Sequence, residues 1–205
     1  EGCCTVASIF VNPAQFGPNE DFDRYPRTLD ADLDTLARAG AHLVFAPPVE
    51  EIYPRGRAAA PDDTLRISVG RLGEVLEGKS RPGFFDGVAL VVGKLLNSVQ
   101  PDVLFLGQKD FQQTVVLRRL VSEGLWPVEV RVCPTVRDAD GLALSSRNRY
   151  LNPTERAAAA ALYQALQHVA TALRTGTQPI TQVLAEAQDW LRAQSPVIRL
   201  DYLDV

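Results

Sequence analysis

Residues 102–133 read DVLFLGQKDFQQTVVLRRLVSEGLWPVEVRVC, and this stretch decides the fold. DVLFLG is a short apolar run bounded by turn residues, which reads as a buried strand. KDFQQTVVLRRLVSEG follows with apolar residues at helical spacing and stops at Gly124, so it reads as a helix. PVEVRVCPTV is again β-branched and reads as a strand. Strand, helix, strand without a hairpin turn predicts a parallel pair with a helical crossover.

The same alternation extends upstream. TVASIFV (Thr5 to Val11) reads as a buried strand, and NPAQFGPNEDFDRYP as a long loop rich in turn residues. DADLDTLARAG reads as a helix, with Asp30 and Asp32 in its first turn and Gly40 as its stop. AHLVFAPP is a second strand and TLRISV a third. GVALVVGKLLNSVQP is a buried helix ended by Pro101. Gly93 inside that helix costs about 1 kcal/mol relative to Ala, which implies close packing there. The fold class expected is therefore α/β, a parallel sheet with helices on both faces.

After about Thr135 the pattern changes. Asn152-Pro153-Thr154-Glu155 combines an N-cap, a first-position proline and a Glu three residues on. A helix is expected from there to about Arg174, a second over Thr181–Gln194, and a last strand in IRLDYLDV. The chain thus divides into 1–134 and 135–205, the second part a smaller α+β domain.

Composition narrows the function. The 205 residues carry a formal net charge of -4 with no basic run, which argues against nucleic acid as a partner. No apolar stretch approaches the roughly 18 residues of a membrane helix, and no signal-peptide pattern is visible. Cys3, Cys4 and Cys133 form no C-x-x-C pair, and a reduced, cytoplasmic setting fits them. Cys133 reads as a small buried hydrophobe. His42 and His168 are the only histidines and read as structural, so any metal falls to oxygen ligands.

Parallel α/β sheets bind ligands beyond the carboxyl ends of their strands. Asn12 and Gln15 follow the first strand. Gln15 offers donor and acceptor to a hydroxy acid, or is a turn glutamine in water. After Leu106 come Gly107, Gln108, Lys109 and Asp110. Gly107 permits a tight exit and close approach of a ligand. Lys109 stands where a helix begins, a place that favours an anion. Asp110 caps the helix or orients Lys109, and Gln113 lies one turn on. The plain alternative is a capped helix with a solvated lysine. Asp32 at its helix start is structural unless a triphosphate lies near, when it becomes a Mg²⁺ ligand. Beyond Val136, Leu144 leads into Ser145, Ser146 and Arg147, a set of hydroxyls and a guanidinium suited to phosphate. Asn148 and Arg149 are read as tying that turn to the next helix. Arg81, Phe84 and Phe85 precede the buried helix, the aromatic pair reading as core.

Five stretches occur in order: SIFVNPAQF, DFDRYPRT, GKSRPGFFDGV, FLGQKDFQQ and DGLALSSRNRYL. Together they closely resemble the pantothenate synthetase family, the AMP-forming pantoate–β-alanine ligases, over nearly the whole chain. The resemblance implies a Rossmann-like nucleotidyltransferase domain in 1–134, a smaller C-terminal domain in 135–205 and a cytoplasmic homodimer. It implies that pantoate attacks the α-phosphorus of Mg-ATP to give pantoyl adenylate and pyrophosphate, after which β-alanine displaces AMP. Gln15, Gln113 and Asn12 match the pantoate and β-alanine positions, and Asp32 the Mg²⁺ position. Gly107, Gln108, Lys109, Asp110, Val136, Leu144, Ser145, Ser146 and Arg147 match the ATP site, with Lys109 and Ser145–Arg147 in the catalytic roles.

The chain also departs from the family pattern. No H-x-G-H segment precedes SIFVNP, and Phe84 stands where the family has histidine. Gln108 replaces a usual Glu, and Phe111 a usual Tyr. Ala14 and Leu144 replace usual Met- or Leu-type residues. Both domains are accordingly expected to be incomplete. A catalytically inactive nucleotide- or pantoate-binding relic, or another nucleotidyltransferase of the same fold, stand as alternatives.

Overall fold

Phe84–Val99 forms the helix around which the first part of the chain packs. Its Phe85, Val88, Ala89, Val91 and Leu96 are buried, repeating at three- and four-residue steps as one helical stripe. In this computed structural model, which describes residues 2–17, 20–56, 65–176 and 178–204, the chain forms two compact units, Glu1–Cys133 and Pro134–Val205.

The first unit contains two parallel strand pairs. Strand β1 (Val6–Ser8) pairs with β2 (Leu43–Phe45) in the register Val6 to Leu43, and helix α1 (Leu29–Arg38) joins them. A short helix, α2 (Val49–Ile52), follows. Another, α3 (Glu77–Ser80), precedes α4 (Phe84–Val99). Strand β3 (Val103–Gly107) pairs with β4 (Glu129–Cys133) across α5 (Phe111–Glu123). Val116, Leu117 and Val121 of α5 are buried. Asn97 accepts a 2.8 Å hydrogen bond from the Trp126 indole just beyond α5, tying the two helices together.

Several expectations need correction. TVASIFV is a strand over Val6–Ser8 only, extended by one bond from Ile9 N to Phe45 O. Residues 65–69 form no strand, and Thr64 lies outside the described residues. The Val69 N–H is taken instead by the Asp86 carboxylate at 2.9 Å, so a side chain replaces a ladder. The expected single sheet is two two-stranded ladders among the described residues. Cys133 is exposed, because β4 alternates and Cys133 shares its open face with Glu129 and Arg131. His42 is structural as read: its Nδ1 accepts from Thr5 N at 3.1 Å. Gly93 is less crowded than expected, since a Cβ there would meet Ile67 and Trp126 at 3.6 Å, ordinary contact. The close approach lies at Gly87, where a Cβ would stand 2.7 Å from Ala14 O.

The second unit begins with an antiparallel bridge between Arg137 and Ala143. Helices α6 (Pro153–Ala159), α7 (Ala161–Thr175) and α8 (Ile180–Gln194) follow. The capping box forms as expected, Asn152 accepting from Glu155 N and Glu155 from Asn152 N. The expected single helix from there is two, divided at Ala160. Ala161, Ala165 and Val169 pack with Val183, Ala187 and Leu191, each set spaced by four residues. IRLDYLDV is not a strand in residues 198–204: Ile198, Leu200 and Leu203 cover the helix pair without a ladder partner. No helix among the described residues is long and apolar enough to cross a membrane.

Candidate functional site

Strand β1 delivers Asn12 into a turn of 3-10 helix, Pro13–Gln15, and Asn12 caps it by accepting from Ala14 N at 3.2 Å. Asn12 is 3% exposed and its amide is fully engaged. Its Nδ2 donates to Gly87 O and to Gln15 Oε1, each at 3.1 Å, and its Oδ1 also accepts from the Tyr53 hydroxyl at 2.7 Å. Ala14 N can only donate and Gly87 O can only accept, so the two backbone groups fix which end of the amide is which. Nδ2 must then donate to Gln15, which takes up the Gln15 carbonyl and assigns the other end of that amide as the NH₂ donor.

Arg81 holds the same turn from another side. It donates to Gln15 O at 3.1 Å, pairs with Glu20, reaches Glu77 Oε1 at 3.4 Å and lies 3.9 Å over the Phe84 ring. Its guanidinium holds the Glu20 carboxyl below its ordinary value of 4.5. Between these groups opens a cavity of about 390 Å³ lined by Gln15, Phe16, Glu20, Ser80, Arg81 and Phe84. Behind the turn, burial pushes the Tyr53 phenol up to about 12, against the pull of its bond to Asn12. Lys94 lies 4.5 Å over that ring and donates to Ile52 O, and burial lowers its pKa.

At the end of β3 the backbone at Gly107 is ordinary extended chain (φ −82°, ψ 132°), so the tight exit expected there is absent. An added Cβ would meet nothing within 4 Å, which leaves open space beside the strand end. Gln108–Asp110 forms a 3-10 turn. Lys109 Nζ donates to Asp110 Oδ1 at 3.1 Å, with both side chains substantially exposed. Asp110 makes no side-chain cap on α5, so of its two expected roles it takes that of Lys109's partner. Gln113 is half-buried one turn on. Its neighbour Gln112 braces the segment that leads into α3, accepting from Glu77 N at 3.1 Å and donating to Leu72 O and Val75 O at 2.8 Å.

Asp32 sits in the first turn of α1 and accepts from Thr28 Oγ1 at 3.3 Å. No group of three or more acidic, Cys or His side chains among the described residues is placed to hold a metal. A single hard-oxygen donor of this kind fits Mg²⁺ that is carried mainly by substrate phosphates.

In the second unit, Val136 and Leu144 face each other across a hairpin, Leu144 N donating to Val136 O at 3.0 Å, and both side chains are exposed. Ser145 Oγ accepts from Arg147 N at 3.3 Å and opens the 3-10 turn Ser146–Tyr150. Asn148 donates to Ala143 O at 3.0 Å, so it ties the turn back to the hairpin rather than on to the next helix. The structure therefore brings Asn12 and Gln15 together, Lys109 and Asp110 together, and Ser145 to Arg147 together. Sequence reading missed Tyr53 and Glu20, whose partners lie 41 and 61 residues away with no local pattern to signal them.

The sequence profile described as Pantoate-beta-alanine ligase matches residues 1–205. The chain belongs to the pantoate–β-alanine ligase family. It is 53% identical over 200 residues to the pantothenate synthetase of Pseudomonas fluorescens, covering 98% of this chain and 68% of that protein. The crystal structure of pantothenate synthetase from Thermus thermophilus superposes with a TM-score of 0.89 at 48% identity, over 97% of this chain and 70% of that one. Pantoate–β-alanine ligase from Francisella tularensis, solved in complex with beta-gamma ATP and β-alanine, matches at 37% identity and a TM-score of 0.79, over 95% of this chain and 69% of that one. The parallel-strand α/β architecture is thus that of pantoate–β-alanine ligases, a nucleotidyltransferase-like fold.

Proposed function

We propose that this chain performs its family's ligation as an AMP-forming, two-step reaction. A pantoate carboxylate oxygen attacks the α-phosphorus of ATP, the bond to the β-phosphate oxygen breaks, and pyrophosphate leaves. The amine of β-alanine then attacks the acyl carbon of pantoyl adenylate, loses a proton, and AMP departs to leave pantothenate. The observation that carries the reading is that Asn12 engages the Gln15 carbonyl while Gln15 lines the cavity, which leaves the Gln15 NH₂ as the group to donate to an acid's oxygens.

The remaining roles follow the chemistry of each group. Gln15 and Gln113 hold pantoate, while Asn12, with its own amide engaged, orients Gln15. Lys109, oriented by Asp110, neutralises phosphate charge beside the first turn of α5. Gly107 and Gln108 offer the strand end to the nucleotide. Val136 and Leu144 flank its base or ribose, and Ser145, Ser146 and Arg147 donate to the phosphates. Asp32 would contribute a carboxylate to Mg²⁺, which when bound offsets the charge of the triphosphate. The 1–134 part is read as the ATP- and pantoate-binding domain and 135–205 as the C-terminal domain. The protein is read as a cytoplasmic homodimer.

The test is release of pyrophosphate from ATP, Mg²⁺ and pantoate, and of AMP once β-alanine is added. Lys109→Ala and Arg147→Ala should each weaken ATP by about 1.5–3 kcal/mol, the range of charge-assisted hydrogen bonds. Gln15→Ala and Gln113→Ala should weaken pantoate far more than ATP. Unchanged ATP affinity in both charge variants would refute the phosphate assignment.

A further inference from the structure

One guanidinium in the second unit closes on two carboxylates. Arg156, in α6, donates from Nη1 to Asp140 Oδ2 at 2.6 Å, and from Nη2 to Asp140 Oδ1 at 3.2 Å and Asp138 Oδ2 at 2.8 Å. The forked contact to Asp140 fixes direction as well as distance. Both aspartates lie at the tip of the hairpin whose other end carries Val136 and Leu144. The tip is ordered internally, with Gly141 N donating to Asp138 O at 2.9 Å and Asp140 Oδ1 accepting from Leu142 N at 3.2 Å.

A second brace acts beside the first. Arg137 donates to Gly141 O at 3.0 Å and lies 3.9 Å over the Tyr163 ring of α7. Gly141 has φ +92° and would place a Cβ 2.3 Å from that ring, so the tip is seated directly on the tyrosine. Ser145 follows Leu144 immediately, and Asn148 returns a bond to Ala143. The hairpin is therefore a lever, clamped to α6 and α7 at its tip and carrying Ser145–Arg147 at its base.

The clamp's three side chains are 31–44% exposed. Ion pairs this open add little to global stability. Three hydrogen bonds on one guanidinium instead set an orientation.

We propose that Arg156 is a positioning residue for the phosphate-gripping turn Ser145–Arg147, acting through Asp138 and Asp140 on the hairpin that delivers it. This rests on the reading of Ser145–Arg147 as ATP-phosphate ligands. Arg156 touches no substrate: it narrows the range of directions from which Arg147 approaches ATP.

The experiment compares Arg156→Ala, Arg156→Lys, Arg147→Ala and Arg192→Ala in the full chain. The last breaks another exposed ion pair of the same unit, with Asp189 at 3.0 Å. The readouts are ATP Kd by titration, KM for ATP and for pantoate, and the thermal midpoint. Arg156→Ala should weaken ATP roughly threefold to tenfold, leaving the pantoate KM and the midpoint nearly unchanged. The lysine variant should recover part of the loss, and Arg192→Ala should show none. Rising salt should narrow the gap between the parent and Arg156→Ala, since the clamp is ionic. Unchanged ATP binding in Arg156→Ala, with a loss in Arg147→Ala, overturns the proposal and leaves the phosphate reading standing. Unchanged binding in both removes the reading and the proposal together. Should Arg156→Ala fail to fold, Asp138→Asn with Asp140→Asn carries the same expectation, and intact ATP binding there overturns it.

Discussion

The hydroxyl of Tyr53 donates to Asn12 Oδ1 across 2.7 Å, joining residues 41 apart in sequence. Asn12 in turn holds the Gln15 amide. Tyr53→Phe keeps the ring and removes one hydrogen bond, worth about 0.5–1.5 kcal/mol. Asn12 keeps its bonds to Ala14 N and Gly87 O but loses one of the two donors on its Oδ1, so the amide that orients Gln15 is held less firmly. The pantoate KM should rise roughly twofold to tenfold with the ATP KM unchanged. Steady-state kinetics with each substrate varied in turn will show it, and equal rises for both would refute the link.

Two groups contribute to opposite limbs of the stability–pH curve. The Tyr53 phenol is raised from 10.0 to about 12, so the fold favours its neutral form. That contribution is complete below pH 10 and is lost as pH climbs towards 12. Glu20 is lowered from 4.5 by Arg81, so its contribution is present above pH 4.5 and is lost as pH falls below it. Denaturant midpoints across pH should lose part of their alkaline limb in Tyr53→Phe and part of their acid limb in Glu20→Gln. An alkaline limb that persists unchanged in Tyr53→Phe would assign it elsewhere.

Gly87 and Gly93 occupy one helix but answer differently to alanine. At Gly87 the new Cβ would stand 2.7 Å from Ala14 O and 3.0 Å from Ala14 C, both backbone atoms that cannot swing away. Gly87→Ala should cost about 1–3 kcal/mol and raise the pantoate KM, because Ala14 leads directly to Gln15. At Gly93 the nearest atoms are 3.6 Å off, and Gly93→Ala should be neutral or stabilising by up to about 1 kcal/mol. Chemical denaturation of both variants provides the comparison, and the opposite order would contradict the packing described.

Asn152→Ala deletes the reciprocal cap of α6, in which Asn152 and Glu155 each satisfy the other's backbone N–H. The expected loss is about 1 kcal/mol, within the range for cap removal. Thermal unfolding should register it, and an unshifted midpoint would show that the box adds nothing to the stability of its helix.

The elements that were legible are those with a period or an unbroken apolar run, closed by punctuation. α5 and β4 each carry a period, β3 is a short apolar run between turn residues, and Gly124 marks the turn between α5 and β4. Where a feature depended on distant partners, local pattern misled. Residues 65–69 alternate like a strand, yet the Val69 N–H meets Asp86 instead of another strand. Ile198, Leu200 and Leu203 read as strand residues, yet they cover a helix pair. The break at Ala160 lies inside five consecutive alanines, which offer no periodicity to interrupt. At the candidate site, Gln15 and Lys109 could be singled out because they follow strands. Asn12 was seen only as a ligand candidate: its engagement with Gly87, 75 residues on, is a tertiary fact.

Each strand pair of the first unit encloses its own crossover helix, β1 and β2 around α1, β3 and β4 around α5. Each ladder therefore closes a loop of modest length without waiting for the other, a local order of assembly that favours early formation. The contact of Asn12 with Gly87 spans 75 residues and joins the turn after β1 to the helix before the second pair. Its formation is expected late, after both halves exist. The pocket proposed for the acid would thus be among the last parts of the unit to mature, so a newly made chain would acquire secondary structure before it acquires selectivity.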